Sequence, residues 1–169
     1  MTIKEVGGAY EYGDTGTRHT HNEGTPRYDG PRELAQSLTA FAYSSAAGAT
    51  WHHEGLREDS EYRDLGLAAV TKGRIGAKHI RALKPLAEPT GWHWHDMTAH
   101  YLYVLRGWIT FRFAGATGEV MLHEGDGLSQ PAGVPHNVIS RSDDLEVIEI
   151  NEPAVYGTWD LAEPPAPWK

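Results

Sequence analysis

Cysteine is absent from all 169 residues, which excludes disulfides and thiolate-bound metal alike. No apolar run approaches the ~20 residues that a membrane-spanning helix needs. The opening residues, Met-Thr-Ile-Lys-Glu-Val-Gly-Gly, lack the apolar core of a secretory signal. Positive charge is in the minority: 15 Lys and Arg against 23 Asp and Glu leave a formal charge of −8. The acidic residues are scattered and no basic face emerges, so a phosphate backbone is not an expected partner and nucleic acid is set aside. The expectation is a soluble, cytoplasmic protein of one domain, long enough to bury a proper core.

What the chain has in quantity is histidine, ten in all. Three fall in Gly91-Trp92-His93-Trp94-His95-Asp96-Met97-Thr98-Ala99-His100, in an alternation that reads as strand. Residues two apart on a strand share a face and stand roughly 6.5–7 Å apart, so His93 and His95 can aim both imidazoles at one ion. The polar interruption from Asp96 to Ala99 is long enough for a hairpin turn, which would bring His100 back beside His95. A fourth imidazole, His136, closes the later segment Gly125-Asp126-Gly127-Leu128-Ser129-Gln130-Pro131-Ala132-Gly133-Val134-Pro135-His136. The remaining histidines carry weaker patterns. His19 and His21 sit among Thr, Arg and Asn; His52 and His53, being adjacent, point to opposite faces; His123 borders a turn, and His79 has no partner at ligand spacing.

Residues 1 to 60 read as an extended arm followed by one helix. Pro31 suits the first helical position and Glu33 the positive end of the helix, while Leu34, Leu38, Phe41 and Ser45 line one stripe up to a stop at Gly48. From Tyr62 short strands recur with turn signals between them: Gly73 to Leu83, the ligand strand, the strand from His100 to Gly107, Ile109 to Phe113, Glu119 to Leu122, Val138 to Ser140 and Leu145 to Ile150. That spacing argues for an all-β sandwich or barrel over residues 61–152. The proline-rich stretch 153–169 is expected to be irregular, anchored by Trp159 and Trp168. Parity on the strand after His100 turns Leu102 and Val104 inward and Tyr101 and Tyr103 outward. Trp94 also faces outward, between two inward histidines. Such an aromatic outer surface needs cover, from the helix or from a second copy in a homodimer.

The two histidine segments resemble the paired motifs of the cupin superfamily. The first family motif runs Gly, five residues, His-x-His, three or four residues, Glu, six residues, Gly. His93, His95 and Gly107 match it, Ala87 holds the place of the leading Gly, and His100 stands where the Glu belongs. The second runs Gly, five residues, Pro-x-Gly, two residues, His, three residues, Asn. Gly125, Pro131, Gly133 and His136 match, and Ser140 replaces the Asn. The looser likeness to small bacterial single-domain cupins spans Tyr62 to Ile150, about half the chain. The resemblance implies a double-stranded β-helix, or jelly-roll barrel, preceded here by an N-terminal extension with one α-helix. It also implies a divalent ion: Fe, Mn, Ni, Cu or Zn.

Candidate ligands are therefore His93, His95, His100 and His136, with Phe111, Phe113 and Gln130 as pocket walls. His100 has a second reading, as a donor or general base beside the ion. Imidazoles are neutral ligands, so losing the family's carboxylate leaves the ion's charge uncompensated and favours a small anionic ligand from outside. Open positions on such an ion suit catalysis. A dioxygenase is the first expectation, with lyase or isomerase chemistry close behind; the alternative is a non-catalytic cupin that only binds metal and ligand.

Overall fold

A computed structural model of the protein describes residues 42–53 and 57–163. Ten strands form two five-stranded antiparallel sheets: β1 (Ser60–Asp64), β2 (Gly76–Ala82), β3 (Trp92–His95), β4 (Ala99–Arg106), β5 (Trp108–Phe113), β6 (Glu119–His123), β7 (Gly127–Gln130), β8 (His136–Arg141), β9 (Glu146–Glu152) and β10 (Thr158–Leu161). One sheet runs in the order β1-β2-β9-β4-β7 and the other β10-β3-β8-β5-β6. The single helix among the described residues is the four-residue α1 (Leu67–Val70). None of the described helices is long and apolar enough to cross a membrane.

Apart from the β1–β2 pair and the β5–β6 hairpin, the chain changes sheets at nearly every turn from β3 onward. This is jelly-roll connectivity, and it closes the sheets over one shared core. Leu102 and Val104 of β4 and Val147 of β9 meet Ile109, Phe111 and Phe113 of β5 from the opposite sheet. Strict alternation drives the burial. On β4, His100, Leu102 and Val104 are buried while Tyr101, Tyr103 and Leu105 stay exposed, as parity predicts. Gly107, at φ +76°, turns the chain from one sheet into the other; a Cβ there would run into the Ser142 side chain.

Several expectations change in contact with the structure. The helix expected from Pro31 falls largely outside the described residues, and residues 42–48, which are described, carry only bends and turns. Asp96 to Thr98 is no hairpin: β3 and β4 belong to different sheets, so the turn is a crossover. The stretch after Pro153, expected to be irregular, contributes β10, which pairs along β3 from Thr158↔His95 to Leu161↔Trp92. Its sequence offers little strand signal of its own; what holds it is Trp159, stacked on Trp94 with ring centroids 4.5 Å apart. Trp94 is thereby covered from within the chain and does not join Tyr101 and Tyr103 in one surface stripe. Trp168 lies outside the described residues.

Val104 is fully buried between the sheets, whereas Met121 is half exposed on β6. Val104→Ala should cost about 2 kcal/mol by lost burial and a residual cavity. Met121→Ala should stay within about 0.5 kcal/mol. Urea denaturation of the two variants measures both.

Candidate metal centre and its cavity

β3 sends His93 and His95 into the barrel, both buried, while Trp92 and Trp94 face away. His136 opens β8 directly opposite His93 in the same sheet. The ring centroids of His93 and His136 are 4.4 Å apart, and those of His95 stand 5.2 Å from each. One donor atom from each of the three lies within 4.8 Å of the others.

All three rings are held by Nδ1. Those of His93 and His136 donate to the carbonyls of Gly91 and Val134, each at 3.1 Å. His95 Nδ1 shares a 2.8 Å hydrogen bond with the Thr158 hydroxyl of β10. Fixing Nδ1 leaves Nε2 as the free lone pair, the arrangement a metal-ligating histidine needs. Burial, reinforced by mutual repulsion, keeps the imidazoles neutral. His95 is lowered to about 4 and His136 to about 3, and His93 is lowered as well, with burial the largest cause in each. Three neutral, convergent and pre-oriented imidazoles fit a divalent ion of the imidazole-binding kind.

His100 reaches the site from the other sheet. Its ring lies 5.6 Å from that of His95 and 6.1 Å from that of His136, and it is not part of the three-histidine group. Its Nε2 is buried without a hydrogen-bond partner, 3.4 Å from Glu149 Oε2, an ion-pair separation with poor hydrogen-bond alignment.

Glu149 is the residue that sequence reasoning missed. It lies opposite Leu102 in the β4–β9 register, so it points inward with Val147 and Asn151. Burial by itself would raise its carboxyl; contact with His100, the Lys78 ammonium 3.9 Å away and a 3.1 Å hydrogen bond from Tyr156 outweigh that and hold it down at about 2. Lys78 in turn donates to the Tyr156 hydroxyl at 3.2 Å. The signal in the sequence was a lone Glu between Ile148 and Ile150, with Val147 on the same face.

These groups share a cavity of about 210 Å³. Phe111 and Gln130 line it, and so do His93, His100 and His136. Phe113 does not: it packs behind, 5.8 Å from the rings of Phe111 and His136. Gln130 sits opposite His100 across the β4–β7 pair, its Oε1 buried without a partner. The other histidines stay outside. His79 pairs with Glu146 at 2.9 Å on the barrel exterior, beneath Trp51, while His52, His53 and His123 are exposed. His19 and His21 lie outside the described residues.

Residues 80–151 match the family model for the cupin domain. The matched segment, 72 of the chain's 169 residues, takes in the inward histidines of β3 and β8 and is a cupin domain. No curated protein matches its sequence. Among solved structures, KdgF from a Halomonas species is similar at 15% identity and a TM-score of 0.55, over 68% of this chain and 94% of that one. Oxalate decarboxylase from Bacillus subtilis, studied at pH 4.6, is similar at 18% identity and a TM-score of 0.53, over 72% of this chain and 31% of that one. The same decarboxylase has been studied for its Mn(II) centres. This chain therefore spans about a third of the length of the decarboxylase chains, and at such identities the likeness carries the fold alone.

The lowered imidazoles give stability a defined pH dependence. Between the ordinary histidine value of 6.5 and the folded values of about 4 and 3, the unfolded chain binds more protons than the folded one, so stability falls as pH falls. Below 4.5, Glu149, depressed to about 2, adds a loss of the same sign. Melting temperatures taken in chelator from pH 7 to 5 should decline steadily, and His136→Gln should flatten the slope.

Proposed function

We propose that this protein is a metal-dependent enzyme that holds a divalent ion on His93, His95 and His136 and moves a proton on a small organic anion bound in the adjoining cavity. The observation that carries this reading is the polar group facing the three histidines across that cavity: His100, Glu149, Tyr156 and Lys78, linked by contacts of 3.1 to 3.9 Å. A bound Fe, Mn, Ni, Cu or Zn ion would supply Lewis acidity, polarising a substrate oxygen. His100 is the proton carrier. A proton taken up on its imidazole finds the ionised Glu149 carboxylate 3.4 Å from Nε2, and returning that proton to a different atom completes an isomerisation or elimination. Glu149 is a positioning residue, itself fixed by Tyr156 and Lys78. Phe111 and Leu102 exclude water from one side of the cavity. This group tips the balance from dioxygenase chemistry toward lyase or isomerase chemistry.

The test loads the protein with zinc or manganese and incubates it in D₂O with a panel of small 2-oxo and 2-hydroxy acids. Proton NMR, after protein removal, reads deuterium incorporation. Wild type should exchange a carbon-bound hydrogen in at least one acid, and His100→Ala should lower that rate by about 10²-fold or more while still binding one ion per chain. Loss of metal in His100→Ala would instead make it a fourth ligand. Oxygen uptake by the Fe(II)-loaded protein without exchange would restore the dioxygenase reading, and tight binding with neither would indicate a binding cupin.

A homodimer belongs to the same proposal. Tyr101, Tyr103 and Leu105 stand exposed on the outer face of β4, an apolar strip suited to a second copy. Sedimentation at micromolar concentration should give twice the chain mass, and Tyr103→Glu should shift it to monomer.

A further inference from the structure

Three cationic side chains line the cavity, Arg57, Lys78 and Arg141, against one carboxylate, Glu149. Two of the cations are matched. Lys78 stands 3.9 Å from Glu149 and donates to Tyr156. Arg141, almost fully buried, pairs with Asp59 at 3.0 Å and donates to the carbonyl of Lys84 at 2.9 Å. Asp59 is committed to that pair, and its other oxygen accepts from Ser60 at 3.1 Å.

Arg57 remains. Among the described residues its guanidinium has no ion pair within 4.0 Å, although Asp59 is near enough to soften the burial that disfavours its charge. Tyr62 lines the cavity wall beside it. Arg57 lines the same cavity as His93 and His136 of the ion site. A half-buried guanidinium with no ion pair among the described residues gains from a carboxylate that a ligand brings within reach. The divalent ion, held by neutral imidazoles, asks for an anionic group at the other end of the same space. The volume of about 210 Å³ suits a ligand of only a few carbons.

We infer that Arg57 receives the second anionic group of a small dicarboxylate whose first carboxylate faces His93, His95 and His136. The inference rests on the proposed ion site and adds the substrate class to it. Arg57 precedes residues 80–151, which carry the cupin match, so this selectivity comes from the chain's own N-terminal segment. A planar guanidinium offers two parallel donors to a carboxylate, which a monoacid of the same length leaves unused.

Calorimetric titration decides it, with malonate, succinate and glutarate compared with acetate, propionate and butyrate. Each acid is run against zinc-loaded and metal-free protein, beside metal stoichiometry and melting temperature. In the loaded wild type, the best diacid should bind about ten-fold or more tighter than its monoacid counterpart. Arg57→Gln should abolish that preference with metal content unchanged, and Arg57→Lys should keep part of it. A preference that survives Arg57→Gln, or a wild type that binds one ion but shows no diacid preference, overturns the inference while leaving the ion site intact. If the wild type binds no ion, the metal reading fails by itself. The metal-free titrations then still read Arg57 directly: diacid binding lost in Arg57→Gln supports its role, and diacid binding unchanged, or absent in wild type, removes it.

Discussion

Everything polar in this barrel has been placed where water is scarce, and the desolvation that placement costs governs the rest of the arrangement. A jelly roll of short strands offers a limited inner surface, most of which must be apolar for the sheets to close. Here the apolar and polar parts adjoin: Phe111 and Val147 belong to the apolar core and also line the cavity that holds the polar groups. Many of the polar groups inside are tied to a second one: imidazole Nδ1 to a carbonyl or hydroxyl, carboxylate to lysine and tyrosine, guanidinium to aspartate. The satisfied bonds fix orientation as well as offsetting burial. Among the described residues, two of the buried groups without a partner, the Nε2 of His100 and Oε1 of Gln130, belong to residues that line the cavity, as does Arg57. Those unmet demands are the chemical description of a ligand.

The sequence disclosed the parts of this design that depend on local spacing. His93 and His95 share a face because the side-chain period of a strand is two, and the same rule correctly turned Leu102 and Val104 inward. The two motifs carried His136 and the barrel with them. What escaped depends on which strand lies beside which. Local pattern cannot tell a tight hairpin from a crossover, so the turn after His95 was misread. Glu149 lies 49 positions beyond His100 in the sequence, and only the β4–β9 register brings them together. Lys78 arrives by the β2–β9 register, opposite Glu149. Thr158 sat in a stretch whose prolines argued against any strand, yet pairing with β3 and one tryptophan stack suffice to form it.

β10 repays closer attention because it joins structure to site. It covers the open edge of β3, which would otherwise present unpaired backbone groups beside His93 and His95. The same strand delivers Thr158 to His95, and the segment leading into it delivers Tyr156, whose ring packs 5.2 Å from that imidazole. Edge protection and ligand orientation are therefore one device. The segment that closes the fold also links His95, through Tyr156, to Glu149 in the opposite sheet.

That link bears on the departure at His100, where related cupins carry a glutamate. The barrel has not given up its carboxylate; Glu149 holds one on the neighbouring strand, within 3.4 Å of the histidine that took the usual position. In the proposed reading, an ion on His93, His95 and His136 would be neutralised less by Glu149, set beside His100, than by a carboxylate bound to it, because Coulomb attraction weakens with separation. Such an ion would keep more of its pull on an external anion. The carboxylate, relieved of ligation, is free to act on the imidazole beside it. In the proposed reading, histidine at position 100 with Glu149 beside it handles a proton where a glutamate would bind the ion, on an unchanged fold.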